Sequence, residues 1–296
     1  MVYSVPITAA RPTPMRFNPK AGAHRRRAAR FLIAALVLLI VCLVWLSYNL
    51  QAVVIALVPG IAAEPTAGPT PPPPALTAPR GELPSGHAGL EEWAQYADGA
   101  GAIGSGFLLR LETGDLVGVT TAHSLYLSGW LGRRLESLTF RLPQSSDDVA
   151  VFTRFHGAPG RVFTGHNFTL DYVLLSPDGP VEAALALTPD RRGAPEPGER
   201  VVLYSGLGDG RGNPRPLTGT VTAAGESAVW VQMDEFFEAG GMSGSPLLSA
   251  HTGRVVGMAI SAGHNAPLLV GFHPIGSLVT KAHQAEIFPS LDAYHP

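Results

Sequence analysis

The pattern of apolar positions divides the chain into two parts. From Phe31 to Ala63 the sequence has no charged residue and no polar face, whereas a helix on the surface of a soluble protein shows one. From residue 89 onward, apolar residues come in short runs separated by turn-forming residues, which is typical of β-strands. The runs predict strands at 102–110, 116–122, 137–142, 149–155, 171–176, 200–206, 217–224, 228–233, 254–262 and 268–272.

Two segments of the second part have helical patterns. The segment LEEWAQYA, residues 90–97, predicts a short helix. The segment SLVTKAHQAEIF, residues 277–288, predicts another, with Ser277 as its N-terminal cap. Because many short strands with few helices favour antiparallel sandwiches or barrels, the expected fold class is all-β with a C-terminal helix.

The apolar run is longer than the roughly 20 residues that a helix needs to cross a bilayer. Residues 1–30 carry six arginines and one lysine but no acidic residue. This asymmetry predicts a basic cytoplasmic tail over 1–30, a transmembrane signal-anchor over 31–58 and an extracytoplasmic remainder. The expected location is therefore the cell membrane, crossed once. A signal peptide cleaved near residues 60–63 is the alternative, although the run is longer than a usual signal core.

Residues 59–88 are predicted to form a proline-rich linker. Their central part, EPTAGPTPPPPALTAPRGELPSG at 64–86, has no aromatic residue, so it is expected to stay extended, partly as polyproline II. At about 3.1 Å per residue, 20 such residues would hold a domain about 60 Å from the membrane. Residues 89–296 are expected to form that single domain.

Composition argues against several classes of function. The 296 residues have a formal net charge of -2 at pH 7 and are 15% charged, which gives no electrostatic basis for binding nucleic acid. The single cysteine, Cys42, cannot form an intrachain disulfide. The ten histidines show no zinc-ligand spacing. We therefore expect no metal and no cofactor.

The segment GGMSGSPLL, residues 240–248, places Ser243 among glycines. A serine hydroxyl is a weak nucleophile until a neighbouring group accepts its proton, and histidine is suited to that role near neutral pH. His123 stands out because it directly follows a strand-like run in GVTTAHSL. Taken alone, these residues leave two alternatives open, a surface turn of small residues and an ordinary surface histidine.

Four segments occur in this order along the chain: GSGFLL at 104–109, TTAHS at 120–124, LDYVLLS at 170–176 and GGMSGSPLL at 240–248. Together they resemble the trypsin-like serine proteases. The resemblance is greatest to the disulfide-free bacterial catalytic domains of the HtrA kind. It covers about residues 100–288 and implies two antiparallel β-barrels with a cleft between them. No PDZ domain, common in HtrA-like proteins, is expected after it.

The resemblance also implies a role for each site residue. Ser243 would be the nucleophile, His123 the general base and then acid, and Asp171 the group that orients the imidazole. The backbone N–H groups of Gly241 and Ser243 would form the oxyanion hole. Asp148 also precedes an alternating strand and is the alternative acid. Asp171 is preferred because the transition to the second barrel directly follows it.

The substrate pocket is expected between the residues before the serine and the strand after it. Glu238 would favour basic side chains and His264 acidic ones, and a small or apolar preference is an equal alternative. The expected lining residues are Phe237, Glu238, Ala239, Ser261, Ala262 and Gly263.

The expected function is that of a membrane-anchored, extracytoplasmic serine endopeptidase that cleaves a protein or peptide through an acyl-enzyme. The oligomeric state stays open. The alternative is a catalytically inactive module of the same fold that binds peptides or proteins, because Met242 and Ser245 depart from the family pattern. Met242 stands where digestive members have an acid that buries a new N-terminus, so activation by that route is not expected.

Overall fold

The computed structural model describes residues 35–40, 42, 68–129, 133–163, 167–207, 215–263 and 265–294. The chain forms two units, Met1–Pro59 and Gly60–Pro296. In the first unit, residues 35–40 and 42 are helical and exposed. None of the helices in these described ranges has the length and apolar character required to span a bilayer. The predicted tail and the rest of the predicted signal-anchor lie outside the described residues.

The N-terminal half of the second unit forms a closed barrel of six antiparallel strands in the order β1-β4-β5-β6-β3-β2. The barrel closes because β1 pairs with both β4 and β2. A short strand β7, Ala186–Leu187, adds to β2 in parallel. The barrel strands are β1 Leu90–Tyr96, β2 Gly99–Arg110, β3 Leu116–Thr120, β4 Leu135–Arg141, β5 Asp148–Phe155 and β6 Val173–Pro177.

The C-terminal half forms a second closed barrel of six antiparallel strands in the order β10-β13-β12-β11-β8-β9. The all-β class with two antiparallel barrels is thereby confirmed. Its strands are β8 Arg200–Tyr204, β9 Pro216–Ala224, β10 Val229–Met233, β11 Pro246–Ser249, β12 Val255–Ala262 and β13 Leu269–Pro274.

Two α-helices follow barrel strands directly. Helix α1, Ala122–Gly129, follows β3, and helix α2, Ile275–His283, follows β13. The expected C-terminal helix is therefore present, but the prediction of its cap was wrong. Pro274 is the N-cap and makes no side-chain hydrogen bond, so Ser277 lies inside the first turn. Three short 3₁₀ helices complete the described elements, at Phe168–Leu170, Ala183–Leu185 and Leu291–Ala293.

The prediction of a helix at residues 90–97 was also wrong, because this segment is strand β1. Its side chains alternate in burial, with Leu90, Glu92, Ala94 and Tyr96 on the buried face. This period of two belongs to a strand. The segment also pairs with β2 on one side and β4 on the other through its backbone. A helix could not do so, because its backbone hydrogen bonds run along its own axis.

Apolar side chains form one core cluster inside each barrel and a third that draws on both. The third includes Phe107 and Val119 from the first barrel and Trp230 and Met258 from the second, with Phe168 among them. Burial of this apolar area favours one fixed arrangement of the barrels. Residues at their junction are therefore held in register with one another.

The described part of the proline-rich segment, residues 68–88, packs on the domain. The N–H group of Gly81 donates to the His251 carbonyl at 2.9 Å, and His251 Nε2 lies 2.7 Å from the Ala78 carbonyl. A Cβ on Gly253 would lie only 2.0 Å from the Glu82 carbonyl oxygen. Because these backbones lie in contact, residues 78–82 do not act as the free spacer expected from composition.

Candidate active site

Three polar side chains predicted from the sequence meet where the two barrels pack together. His123 lies in the first turn of α1, directly after β3. Asp171 lies between the 3₁₀ helix Phe168–Leu170 and β6, and its side chain is fully buried. Ser243 lies in the loop before β11. The first barrel thus supplies the histidine and the aspartate, and the second supplies the serine.

These side chains form a continuous hydrogen-bonded row. His123 Nδ1 lies 2.8 Å from Asp171 Oδ2, and His123 Nε2 lies 2.6 Å from Ser243 Oγ. The backbone N–H of His123 also donates to Asp171 Oδ1 at 3.0 Å. Because an ionised carboxylate only accepts hydrogen bonds, Nδ1 is the donor and Nε2 is left with a lone pair facing the hydroxyl. The imidazole is thereby oriented to remove the serine proton.

The surroundings of this row are largely apolar. The Phe163 ring lies edge-on to the His123 ring, with 6.5 Å between centroids, and also contacts Phe168. The N–H group of Phe163 donates to Asp171 Oδ2 at 3.4 Å. The side chain of His123 is 15% exposed and that of Asp171 is fully buried, so only the imidazole reaches solvent. In such surroundings a charge on the imidazole interacts strongly with the buried carboxylate.

Asp148, the alternative acid, occupies a different place. It is the first residue of β5, and its carboxylate accepts a hydrogen bond from Arg141 Nε at 2.7 Å. Its side chain is 47% exposed. The structure therefore brings Asp171, and not Asp148, to His123.

Two glycines shape the loop that carries Ser243. Gly241 has φ +82° and Gly244 has φ +89°, a region that side chains disfavour. A Cβ on Gly244 would lie 1.9 Å from the carbonyl oxygen of Ser105. The sequence places glycine where the backbone needs both a positive φ and close contact with the first barrel.

Ser105 of β2 holds this loop at two points. Its N–H group donates to the Ser243 carbonyl at 2.9 Å, and its hydroxyl donates to the Gly241 carbonyl at 2.9 Å. Within the described ranges, the N–H groups of Gly241 and Ser243 have no hydrogen-bond acceptor. Both are available to a ligand oxygen, as the predicted oxyanion hole requires.

The predicted pocket residues differ in exposure. Phe237 is only 6% exposed and packs in the core of the second barrel, whereas Glu238 is exposed. Ser261 is half-buried and Gly263 is buried. Their role in a substrate pocket stays a prediction, and His264 lies outside the described residues. Among the described side chains, no cluster of His, Cys, Asp and Glu could hold a metal ion.

Sequence reasoning missed Glu92, a fully buried carboxyl group on β1. Its Oε2 lies 2.7 Å from Thr120 Oγ1, and its Oε1 has no partner among the described residues. Burial raises the pKa of Glu92 to about 8, although the Thr120 hydrogen bond lowers it. The alternation of Leu90, Glu92 and Ala94 is the signal that could have located it on the inner face.

Comparison with known proteins agrees with this geometry. A family model described as a trypsin-like peptidase domain matches residues 104–258, more than half of the chain. That range includes His123, Asp171 and Ser243. No curated protein was found to match.

Several solved protease structures are similar to the chain at low identity. The thermostable serine protease AL20, from an extremophilic microorganism, is 14% identical with a TM-score of 0.49, over 67% of this chain and 96% of that one. A serine endoprotease from Yersinia pestis is 14% identical with a TM-score of 0.45, over 66% and 60%. An inactive form of Rv3671c from M. tuberculosis H37Rv is 14% identical with a TM-score of 0.43, over 67% and 86%.

Proposed function

Because the chain belongs to the trypsin-like peptidase family, we propose that it is a serine endopeptidase acting on proteins or peptides. The observation that carries the proposal is the position of the His123 imidazole. It lies 2.8 Å from the Asp171 carboxylate on one side and 2.6 Å from the Ser243 hydroxyl on the other. The three groups could therefore begin acyl transfer from these positions without moving relative to one another.

Ser243 Oγ attacks the carbonyl carbon of the scissile bond while His123 Nε2 takes the hydroxyl proton. The negative charge that develops on the carbonyl oxygen is stabilised by the N–H groups of Gly241 and Ser243. His123 then gives its proton to the leaving amine, which departs and leaves an acyl-enzyme. Water repeats the sequence and releases the acid. Asp171 remains ionised throughout and stabilises the imidazolium.

The loop before the serine supports activity without cleavage of the chain. The side chain of Met242 is buried in the core of the second barrel. An apolar anchor therefore occupies the position where digestive relatives use an acid. Ser245 donates its N–H to the Met242 carbonyl at 2.9 Å and accepts one from Ala259 at 2.9 Å. Since Ser245 does not have a positive φ, serine is compatible with the turn.

Hydrolysis of fluorescein-labelled casein by the purified full chain tests the proposal. Ser243→Ala is expected to abolish cleavage, and Asp171→Asn to reduce it by about 10³-fold or more, because the three side chains act as one unit. Asp148→Asn is the matched control, since the same change on an exposed strand end should leave the rate unaltered. A rate that survives Asp171→Asn and is lost in Asp148→Asn would show that the acid is assigned wrongly.

We also propose that residues 31–58 anchor the enzyme with its N-terminus in the cytoplasm and its catalytic domain outside. The support is the uncharged run Phe31–Ala63 and the purely basic segment before it. A C-terminally tagged full chain should remain with the membrane after alkaline carbonate extraction. Its tag should be digested by protease added outside intact cells. A tag released into the soluble fraction would favour the cleaved signal peptide.

A further inference from the structure

Glu92 is a buried acid that the proposed reaction does not use. It lies opposite Gly104 of β2 and Phe140 of β4, beside an irregularity in the β1–β2 pairing. Its side chain has no exposure to solvent, and one of its two oxygens has no partner in the described part of the chain. A carboxylate buried in this way has only the Thr120 hydrogen bond in place of its hydration, whereas a neutral acid loses far less hydration on burial.

The proton count at Thr120 also favours the neutral acid. Thr120 Oγ1 lies 2.7 Å from Glu92 Oε2 and 3.0 Å from the Ser105 carbonyl oxygen. A threonine hydroxyl has one proton, so it cannot donate fully to both acceptors. Both contacts become good hydrogen bonds when Glu92 is protonated and donates to Thr120, which then donates to Ser105.

Ser105 extends this row of hydrogen bonds to the loop that carries Ser243. It donates to the carbonyl groups of Ser243 and Gly241, and its own hydroxyl accepts the N–H of Gly206 at 3.2 Å. The residues that Ser105 holds are the two whose N–H groups would bind the oxyanion. Thr120 is also the last residue of β3, three positions before His123. The row therefore connects the buried acid to both sides of the reaction centre.

We propose that Glu92, as a neutral carboxylic acid, is a positioning residue that holds the loop containing Gly241 and Ser243 through Thr120 and Ser105. The inference rests on the proposed peptidase function for its catalytic consequence. If Glu92 ionises, the Thr120 hydroxyl donates its single hydrogen bond to the carboxylate, and the Ser105 carbonyl loses its donor. The loop that carries Ser243 is then held less firmly.

The groups that face Glu92 are uncharged. A Cβ on Gly104 of β2 would lie 2.9 Å from Ser124 Oγ of α1, 3.1 Å from Glu92 Oε2 and 3.3 Å from the Ser243 carbonyl oxygen. The β3 and β4 neighbours are the Thr120 hydroxyl and Phe140. Among the described residues, burial raises the pKa of Glu92, the Thr120 hydrogen bond lowers it, and no charged neighbour contributes. A charge formed on Glu92 would thus have no counter-ion.

The test is the second-order rate of labelling by a fluorophosphonate probe, measured on the full chain in mild detergent from about pH 6 to about pH 10. The wild-type rate should decline with an apparent pKa of about 8. Glu92→Gln should lack this decline, because the amide donates to Thr120 at every pH. One unit above the pKa, the variant should react about 10-fold faster than wild type.

Three further variants separate positioning from a general structural effect. Glu91→Gln makes the same change on the neighbouring, half-buried residue and should keep the wild-type profile. Thr120→Val should lower the rate about 10-fold below about pH 8, where the wild-type row is intact, because it breaks the row. Thr120→Ser should restore the rate. A decline in Glu92→Gln that matches wild type, or normal labelling of Thr120→Val, would overturn the inference.

Hydrogen–deuterium exchange of the peptide that contains residues 240–246 provides a readout independent of activity. Above about pH 8, this peptide should exchange faster in wild type than in Glu92→Gln at the same pH. If wild type does not label, the peptidase proposal fails, and the exchange result still decides the role of Glu92. Equal exchange in the two proteins at every pH refutes that role.

Discussion

Replacing Glu92 by glutamine should make the folded chain increasingly stable relative to wild type as the pH rises from acidic to neutral. The pKa of the buried carboxyl is raised from 4.5 to about 8. Between these values the folded state holds a proton that the unfolded chain has released. The free energy of unfolding of the wild type must therefore fall as the pH rises through this window. Glutamine has no proton to lose and avoids this penalty.

The size of the effect follows from the shift. One pKa unit corresponds to about 1.4 kcal/mol. Relative to acidic solution, the Glu92→Gln variant should gain about 3 kcal/mol over wild type at pH 7 and about 4 kcal/mol at pH 8. Differences of this size are a large fraction of the stability of a domain. Any constant effect of the amide on packing changes the offset between the two proteins but not the slope.

Urea unfolding of the full chain, followed by tryptophan fluorescence in mild detergent, measures this slope. Trp230 is buried in the core shared by the barrels and reports on its disruption. Other titrating groups are present in both proteins and cancel in the difference. A difference in unfolding free energy that stays constant from about pH 5 to about pH 8 would show that Glu92 is not held neutral by the fold.

Three other predictions concern the barrels and the loop. His273 is fully buried and burial lowers its pKa from 6.5 to about 4, so the unfolded chain gains a proton first and the contribution of His273 to the unfolding free energy should fall by about 3 kcal/mol as the pH drops through that window. Urea unfolding extended to about pH 4 should show the difference between wild type and His273→Gln falling by this amount, and a difference that stays constant would be inconsistent with a buried neutral imidazole. Gly244→Ala should reduce fluorophosphonate labelling at least about 100-fold, because the added Cβ meets the Ser105 carbonyl and disturbs the loop that carries Ser243. Gly276→Ala, which has open space around it, is the control, and equal labelling rates in the two variants would contradict the predicted strain. Phe237→Ala should lower the unfolding free energy by about 3 kcal/mol as a core truncation, whereas Glu238→Gln on the exposed neighbour should not, and an unchanged stability in Phe237→Ala would show that the ring is not part of the core.

Much of the fold was predictable because strands in barrels with a solvated outer face alternate in burial. Strands such as Ser137–Leu142 and Val149–Phe155 were placed correctly to within two residues from this alternation alone. Strand β1 was predicted as a helix instead, because seven residues are too few to separate a period of two from one of 3.6. Barrel closure was also beyond the pattern, since it depends on pairing between residues far apart in the chain.

The candidate site was predictable only in part. His123, Asp171 and Ser243 each lie next to a distinctive strand or turn motif. The order of these motifs along the chain made it possible to predict the three residues as one site. The alternation of Leu90, Glu92 and Ala94 could have placed Glu92 on an inner face, but its hydrogen-bond partner comes from β3 and could not be read from the local sequence. Phe237 shows the same limit, since its burial depends on partners throughout the second barrel. The packed segment around Gly81 depends on contacts with His251, 170 positions away.

The central claim is that His123 activates the Ser243 hydroxyl. Mass spectrometry of the intact full chain after reaction with a fluorophosphonate, followed by mapping of the modified peptide, tests it most directly. A single adduct on Ser243 is predicted in wild type, with little or none in His123→Ala over the same time. A folded wild-type chain that acquires no adduct on Ser243, or a His123→Ala variant that acquires it equally fast, would contradict the claim.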